Sequence, residues 1–415
     1  MSMRELEKIP VCEEIKKLAD KFPTDIFIVG GKVRNFLMGV DTEDIDLCSS
    51  LSLSELEEIV KNYGFELKFK NEQLQTAKIV INDKLYDYAR FRTEIYEKGG
   101  FRLPKEVEFV KTPQEDYLRR DFSVNSIYYN LKTGEYLDFC GGIQDLKNKV
   151  IKTVSSPKKV LADDGLRILR MIRVACEMSF KIDRETFIAA SQNISNLLNV
   201  SGVKLANEIK KICDSSKHLC AKKNAHIRGI KLLNKLKAWK YFGFNFDKLK
   251  PKMLNTQVKK YYGLLIDIIN AEDPASISYF LAQVLDRLEI GKKKKEEIIN
   301  IISGYFDALN KVSNKIYFSK YFDHFEEIYK ILYQKSKLTA QKYHFFYRYI
   351  INHKLVVKVS DLKVSNKDLA KNFPSLPEKS YNIILNMVLT DVFEGKYPNE
   401  NERILKEIEK KLNLS

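Results

Sequence analysis

Residues 40–50 read VDTEDIDLCSS and hold four carboxylates, on Asp41, Glu43, Asp44 and Asp46. The last two flank a single isoleucine, and residues i and i+2 of a strand project from the same face. Converging carboxylates repel unless a cation neutralises them, and their hard oxygen atoms suit Mg²⁺. The pair therefore indicates a magnesium site for phosphoryl transfer, in which two such ions can lie about 4 Å apart. A solvated acidic turn is the alternative.

A glycine-rich turn, FIVGGKVRNFLMG, shortly precedes the acidic pair. Gly30 and Gly31 lack a Cβ atom, so the backbone there can approach a ligand closely. A helix that begins at about Lys32 would offer free N–H groups and the positive end of its dipole to a phosphate. Lys32 and Arg34 add positive charge. Together with the aspartates, the turn predicts a site for a nucleoside triphosphate and its metal, although two glycines alone also fit an ordinary strand–turn–helix connection.

A third polar cluster lies in DYLRRDFSVNS, residues 116–126. Arginines such as Arg119 and Arg120 can clamp a phosphate with two parallel hydrogen bonds. Asp121 and Asn125 can hydrogen-bond a ribose hydroxyl. The alternative is an ion-pair network on the protein surface.

A fourth cluster, ADDGLRILRMIR, pairs Asp164 with Arg167. Three residues apart on a predicted helix, the two side chains would share one face. A carboxylate beside a guanidinium matches cytosine through its amino group and N3, and adenine through its amino group and N1. Guanine and uracil would turn a carbonyl toward Asp164, and a buried mispairing costs ~1–3 kcal/mol per group. The alternative is a routine ion pair within a helix.

Two kinds of segment must position these clusters. The first 150 residues have an α+β pattern: IFIV, AKIVI, KLYDYARF and VEFV are typical of strands, and the helix SLSELEEIVKNYG has Ser52 or Ser54 as its cap and Gly64 as its end. From about residue 157 the pattern becomes helical. A length of 415 residues predicts two to four domains.

Composition narrows the class of function. Lys and Arg number 71 against 55 Asp and Glu, a net charge of +16, which favours a nucleic-acid partner unless the whole proteome is rich in lysine. All five histidines lie at or after position 218, which argues against Ser-His-Asp, Cys-His and HExxH chemistry in the first half.

Cysteine spacing and hydropathy indicate the compartment. The six cysteines form no CxxC pair, so a zinc ribbon is not expected, and scattered thiols suggest a reducing environment. No apolar run approaches the roughly 18 residues of a membrane span, and MSMRELEKIP is charged where a signal peptide is apolar. We expect a cytoplasmic protein without a membrane partner.

Taken together, these stretches resemble the class II tRNA nucleotidyltransferases, the CCA-adding enzymes, and the related bacterial poly(A) polymerases. The family pattern runs VGGxVRDxLLG, DxD, RRDFTxNA, GxxD and EDxxRxLR, and here reads IVGGKVRNFLMG, DID, RRDFSVNS, GGIQD and DDGLRILR. FRTEIYEKGGFRLP is similar to the family's flexible loop segment. NKDLAKNFPSLPEKSYNIILNMVLTDVFEGKYPNENERI is similar to the tail of the bacterial enzymes.

The resemblance implies an α+β protein: a small nucleotidyltransferase head with a mixed β-sheet, followed by all-helical neck, body and tail. Residues 1–150 would form the catalytic head and 151–215 the neck that recognises the base. Residues 216–300 would form the body and 301–415 the tRNA-binding tail, in which basic helices grip the 3′ end and the acceptor and T-arm region.

The resemblance also implies the activity, which is addition of C, C and A to the 3′ end of tRNA from CTP and ATP without a template. Asp44 and Asp46 would be the catalytic residues and the ligands of two Mg²⁺ ions, one activating the attacking hydroxyl and one neutralising the departing pyrophosphate. The implied nucleotide-binding residues are Gly30, Gly31, Arg34, Arg120, Asp121, Asn125, Asp164, Arg167 and Arg170.

Three departures from the family pattern stand near these residues. Asn35 replaces the usual Asp after Arg, and Asp163 replaces the usual Glu before the base-reading Asp. Val203 and Lys204 occupy the positions of a Glu-Arg pair that helps to rigidify the neck, whereas Glu208 matches. A supporting contact at the first position and the switch from C to A addition are therefore in question.

Other activities remain open on sequence alone. Within the same class, the chain could be an A-adding enzyme, a CC-adding enzyme or a poly(A) polymerase, and the full-length FRTEIYEKGGFRLP disfavours a CC-only enzyme. A catalytically silent RNA-binding protein is disfavoured by the intact Asp44 and Asp46. A small-molecule nucleotidyltransferase is disfavoured by the long basic helical part.

Overall fold

The computed structural model describes residues 6–412 except 98, 102, 245, 247, 251–259 and 312–320. Residues 98 and 102 belong to FRTEIYEKGGFRLP, so that part of the predicted loop lies outside the described residues. The chain divides into two compact units. One comprises Met1–Leu254 with Asp286–Ile290, and the other comprises Asn255–Leu285 with Gly291–Ser415.

The predicted mixed sheet is present in the first unit, where it has seven strands. In chain order, the strands of this unit are β1 (Ile26–Val29), β2 (Asp46–Ser49), β3 (Glu66–Asn71), β4 (Thr76–Ile81), β5 (Lys84–Arg90), β6 (Arg92–Ile95), β7 (Glu106–Phe109), β8 (Ile127–Asn130), β9 (Tyr136–Asp138), β10 (Val150–Ile151) and β11 (Lys181–Ile182). The large sheet has the order β3-β4-β5-β2-β1-β8-β9, while β6 pairs with β7 and β10 with β11. Within the large sheet β2 and β5 run parallel, and the other neighbours are antiparallel.

Hydrophobic patterning explains why these segments form strands. All four residues of β1 are buried, as expected of a strand in the middle of a sheet. In β4, Ala77, Ile79 and Ile81 are buried, whereas the alternate residues are only partly covered. The strands predicted in IFIV, AKIVI, KLYDYARF and VEFV are therefore confirmed.

Helices pack around this sheet and continue beyond it in the same unit. They are α1 (Glu13–Asp20), α2 (Gly31–Leu37), α3 (Leu53–Asn62), α4 (Pro113–Asp116), α5 (Gly142–Asn148), α6 (Pro157–Asp163), α7 (Leu166–Glu177), α8 (Arg184–Gln192), α9 (Gly202–Asp214) and α10 (Ala225–Lys235). The predicted start and end of α3 are confirmed. Ser52 caps it in a reciprocal box with Glu55, and Gly64 follows its end with φ +72°.

One helix prediction is wrong. Asp164 does not share a helix with Arg167, because the chain leaves the helical conformation at Asp164 (φ −139°, ψ 111°) and α7 begins at Leu166. Gly165, which follows with helical angles, packs so closely that a Cβ atom there would lie 2.6 Å from the carbonyl oxygen of Asn196. The Asp164 Oδ1 atom instead accepts a hydrogen bond from the N–H group of Leu166, the first residue of α7 (2.8 Å).

The second unit is helical in its described part. The helices after residue 255 are α11 (Lys260–Glu272), α12 (Ile277–Arg287), α13 (Lys292–Lys311), α14 (Phe325–Lys335), α15 (Lys337–Asn352), α16 (Asn366–Asn372), α17 (Tyr381–Phe393) and α18 (Asn401–Leu412). Leu369, Leu385, Val388 and Ile404 belong to one apolar core near the end of the chain. None of the helices within the described residues is both long enough and apolar enough to span a membrane.

Candidate active site

A cavity of about 950 Å³ in the first unit collects the predicted site residues. Its lining includes Gly30, Gly31, Arg34, Asp44, Asp46, Arg120, Asp121, Asn125, Asp164, Arg167 and Arg170. These residues come from four separate parts of the sequence, yet they face one space. The structure therefore brings together every residue that the sequence singled out for catalysis or nucleotide binding.

The glycine turn lies directly against Asp46 of the acidic pair. Val29, the last residue of β1, lies opposite Asp46 in the antiparallel β1–β2 pair. Gly30 follows with φ +86°, and a Cβ atom there would lie 3.0 Å from Asp46 Oδ2. A larger residue at position 30 would therefore be strained and would crowd the carboxylate. Ile45 is buried between the exposed Asp44 and Asp46, so both aspartates lie on its opposite side.

A third carboxylate, which the sequence reading missed, adjoins the pair. Asp87 on β5 is the register partner of Asp46 in the parallel β2–β5 pair. Its Oδ1 atom lies 2.8 Å from Lys78 Nζ on β4. An acidic residue inside the predicted strand KLYDYARF was the available signal, but only the pairing of the strands shows which acid it meets.

The acidic group has the properties of a cation site. Desolvation by the surrounding protein raises the pKa of Asp46, repulsion from Asp87 and Asp44 raises it further, and Arg120 opposes the change. Among the described residues, no group of three or more His, Cys, Asp or Glu side chains forms a metal cage. The oxygen donors of Asp44 and Asp46 fit Mg²⁺, which commonly takes one or two carboxylates and completes its shell with phosphate oxygens and water.

Arg34 is a buried cation beside the glycine turn. Its Nη1 atom donates to Asn125 Oδ1 (2.5 Å) and its Nε atom to Asn35 Oδ1 (3.0 Å). Burial lowers the pKa of Arg34 to about 10, which still leaves it charged at neutral pH. Both of these partners are neutral amides, so the guanidinium keeps a net positive charge for an anionic ligand. The departure at Asn35 therefore supplies an uncharged partner where the family has a carboxylate.

Asp116 anchors the arginine pair and was not predicted as a site residue. It is fully buried and accepts hydrogen bonds from Arg119 Nε (2.7 Å), Arg120 Nη2 (2.7 Å) and Tyr128 Oη (2.6 Å). Burial opposes its ionisation, but the two guanidinium groups outweigh burial and hold the pKa of Asp116 far below its usual value. The arginines are consequently held in place before any ligand arrives.

Asp121 connects the sheet region to α7. Its Oδ2 atom accepts from Arg170 Nε (2.7 Å) and lies 2.6 Å from Arg170 Nη2, while its Oδ1 atom accepts from Asn125 Nδ2 (3.2 Å). Burial works against the charge, yet Arg170 and these hydrogen bonds lower the pKa of Asp121 to about 2. Arg170, Asp121, Asn125 and Arg34 thus form one continuous hydrogen-bonded chain.

Arg167 is fixed on several sides. Its Nη1 atom donates to the Val160 carbonyl (2.9 Å) and its Nη2 atom to the Arg119 carbonyl (2.7 Å). The guanidinium carbon lies 5.5 Å from the ring centre of Tyr96, a cation–π contact that the sequence reading missed. Asp164 and Arg167 are 8% and 6% exposed, so a ligand that reached them would be largely shielded from water.

Glu208, the residue of this stretch that matches the family pattern, forms an ion pair. Arg173 on α7 joins Glu208 on α9 (Nε–Oε2 2.7 Å) and Glu177 on its own helix (3.0 Å). Of the two departures, Val203 is exposed and Lys204 lines the cavity.

The chain is similar to known proteins in sequence and in fold. The family model of the poly A polymerase head domain matches residues 26–152. A CCA-adding enzyme of Staphylococcus epidermidis is 29% identical over 301 residues, 72% of this chain and 70% of that protein. The crystal structure of the Bacillus stearothermophilus CCA-adding enzyme in complex with CTP is similar with a TM-score of 0.70, 19% identity and coverage of 97% and 96% of the two chains. The structure of the Thermotoga maritima CCA-adding enzyme complexed with tRNA is similar with a TM-score of 0.58 and 21% identity. The match covers 98% of this chain and 99% of that chain.

Proposed function

We propose that the chain adds C, C and A to the 3′ end of tRNA. It belongs to the family of class II tRNA nucleotidyltransferases and bacterial poly(A) polymerases, and it is a nucleotidyltransferase. CTP and ATP would be the nucleotide substrates, and pyrophosphate would be released. The observation that supports this most is the single cavity shared by Asp44, Asp46, Asp164 and Arg167. It offers carboxylates for metal at one place and a buried carboxylate–guanidinium pair at another.

The triphosphate is placed by cations that are already ordered. Arg34 keeps its charge beside Gly30 and Gly31, where the backbone can approach phosphate closely. Asp116 holds Arg120 so that little side-chain entropy is lost when a ligand binds. Lys32 contributes less, because its ammonium donates to Asp41 Oδ1 and to the Thr42 carbonyl.

Transfer would occur at the acidic group. The 3′ oxygen of the RNA forms a bond to the α-phosphorus, the bond from that phosphorus to the bridging oxygen breaks, and pyrophosphate leaves. The hydroxyl proton passes to water or to a neighbouring carboxylate. Asp44 and Asp46 would hold Mg²⁺, which when bound lowers the pKa of the hydroxyl and neutralises charge on the leaving group. Arg34 and Arg120 stabilise the same negative charge without a metal.

Base choice would rest on Asp164 and Arg167. Amino groups of cytosine and adenine can donate to a carboxylate, and their ring nitrogens can accept from a guanidinium. The two carbonyls that fix Arg167 restrict the directions of its remaining N–H groups. Guanine and uracil would leave polar groups unpaired in a shielded site, which is costly.

The tRNA itself would be held by basic helices outside the cavity. Residues 292–295 read KKKK at the start of α13, and Lys292, Lys293 and Lys294 are exposed. Lysines in such positions contact phosphates without regard to sequence and lose affinity as salt rises. The body and tail predicted at 216–300 and 301–415 are the segments that we propose for this contact.

An extension assay tests the proposal. Three transcripts of one tRNA, ending before CCA, after C and after CC, are incubated with protein and Mg²⁺ and with CTP, ATP, both, or UTP with GTP. Completion of CCA with CTP plus ATP is expected. Addition of A to the CC-ended transcript alone would instead identify an A-adding enzyme, and addition that stops after CC would identify a CC-adding enzyme. Long A ladders would identify a poly(A) polymerase, and no extension would contradict the proposed activity.

A further inference from the structure

An exposed apolar strip lies beside the acidic group. Leu85 lies in β5, is 50% exposed and lines the same cavity as Asp44 and Asp46. Its antiparallel register partner on β4 is the half-buried Val80. Much of the cavity lining is charged, so exposed apolar carbons in it indicate a ligand that covers them.

Strand pairing fixes the place of this strip. Asp46 and Asp87 are opposite each other in the parallel β2–β5 pair. Leu85 precedes Asp87 by two residues in β5, so both project from one face, and Asp44 precedes Asp46 by two residues just before β2 begins. Neighbouring strands lie about 4.8 Å apart, which places Leu85 one strand away from the predicted metal ligands.

The strip and the glycine turn flank the acidic group on opposite sides. The ion pair between Lys84, the first residue of β5, and Glu43 (3.7 Å) indicates that the two segments stay side by side before β2 begins. The sheet order is β5-β2-β1, and Gly30 at the end of β1 adjoins Asp46 from the other side. In nucleotidyl transfer the attacking and leaving oxygens lie roughly in line across the phosphorus. If the leaving pyrophosphate lies toward Gly30, the attacking hydroxyl must arrive from the side of Leu85.

We propose that Leu85 and Val80 bind the 3′-terminal nucleoside of the RNA acceptor. This inference rests on the proposed function and adds to it a subsite for the second substrate. A nucleobase has a flat, weakly polar face that packs on apolar side chains irrespective of its identity. Such a subsite suits an acceptor whose last base changes with every addition, because packing on a face does not read the hydrogen-bonding edge.

Truncation of Leu85 tests the subsite. Leu85→Ala is expected to raise the KM for a transcript that ends before CCA roughly tenfold, because apolar contact area with the terminal base is lost. The dissociation constant for CTP, measured without RNA, should not change. Ile188→Ala on α8 is the matched control, since Ile188 is 45% exposed and is not among the residues that line the cavity.

A second variant separates packing from general damage. Leu85→Phe supplies a larger flat surface and is expected to keep the KM for RNA at or below the wild-type value. A Leu85→Ala KM equal to that of Ile188→Ala would overturn the subsite, as would a weakening of CTP binding as large as the change in KM. A wild-type chain that extends no transcript would overturn the proposed function instead, so the two failures are distinguishable.

Discussion

Acidic side chains in two neighbouring regions of the candidate site have pKa values shifted in opposite directions. Asp116 and Asp121 are buried and each meets at least one guanidinium, so their pKa values are lowered. Asp46 is more exposed, and the groups around it raise its pKa. Charge at the first two positions stabilises the fold, whereas charge at Asp46 is opposed by the fold and would be satisfied by an added cation. The contrast separates carboxylates that build the site from a carboxylate that does its chemistry.

The largest effect is expected on activity at the acidic pair. Asp46→Asn should lower incorporation of CMP on the order of a thousandfold, because the neutral amide cannot hold the cation. Asp44→Ala should behave in the same way. The measurement is single-turnover extension with CTP, beside circular dichroism to confirm the fold. The control is Asp20→Asn, an exposed change at the end of α1. Near-normal turnover in Asp46→Asn would contradict the hypothesis that Asp46 binds the metal.

The second-largest effect is expected on stability at Asp116. Asp116→Asn should lower the free energy of unfolding by about 3 kcal/mol, because Arg119 and Arg120 would lose their buried counter-charge. Urea unfolding monitors it. Asp46→Asn should leave that free energy unchanged or slightly higher, since the native fold disfavours the Asp46 charge. Equal losses in both variants would break the comparison between the two regions.

The third effect is expected on the choice between nucleotides and concerns Arg167. Arg167→Ala should relax discrimination between CTP and UTP roughly tenfold to a hundredfold, since a paired donor worth ~1–3 kcal/mol is lost. The dissociation constant for CTP should change less. Competition between the two triphosphates in one extension reaction measures the ratio. If the variant refuses UTP as strictly as the wild type does, Arg167 has only a structural role.

Acid should lower the stabilisation that Asp121 contributes over a defined pH range. The pKa of Asp121 is lowered to about 2 from an ordinary value of 3.8, so its stabilisation is complete above about pH 4 and disappears as pH falls through 2. The contribution is about 2 kcal/mol. Asp121→Asn should therefore differ from the wild type in unfolding free energy at pH 6 and converge with it near pH 2. A constant difference across that range would contradict the assignment.

Local patterns predicted much of the fold and of the site. Alternating apolar residues identified β4 and β5, the Ser52–Gly64 signals bounded α3, and the acidic pair and glycine turn identified the cavity. What was missed depends on contacts between distant segments. Asp87 gains its meaning from strand register and Tyr96 from the approach of Arg167, and neither contact leaves a mark in the local sequence.

The wrong helix prediction has the same origin. The apolar residues from Leu166 to Cys176 have roughly helical spacing, and the prediction extended that helix back to Asp164. In the structure the backbone is extended at Asp164, and Gly165 then packs closely against the Asn196 backbone before α7 begins. The Asp164 carboxylate is consequently oriented by its hydrogen bond from the Leu166 N–H group rather than by a position on a helix surface.

The smallest expected effect is on stability and concerns the acidic pair, Asp44 and Asp46. Mg²⁺ added to the wild-type protein without nucleotide should raise the free energy of unfolding by about 1 kcal/mol at roughly tenfold excess over its dissociation constant, because it binds only the folded acidic pair. Thermal unfolding with and without MgCl₂ measures the shift, with NaCl at equal ionic strength as the control. Asp46→Asn should lose the shift, while Asp121→Asn should keep it, since Arg170 and Asn125 already satisfy that carboxylate. If Asp46→Asn keeps the shift, magnesium binds elsewhere on the protein. Asp46 would then not differ from Asp116 and Asp121 as a ligand for an added cation.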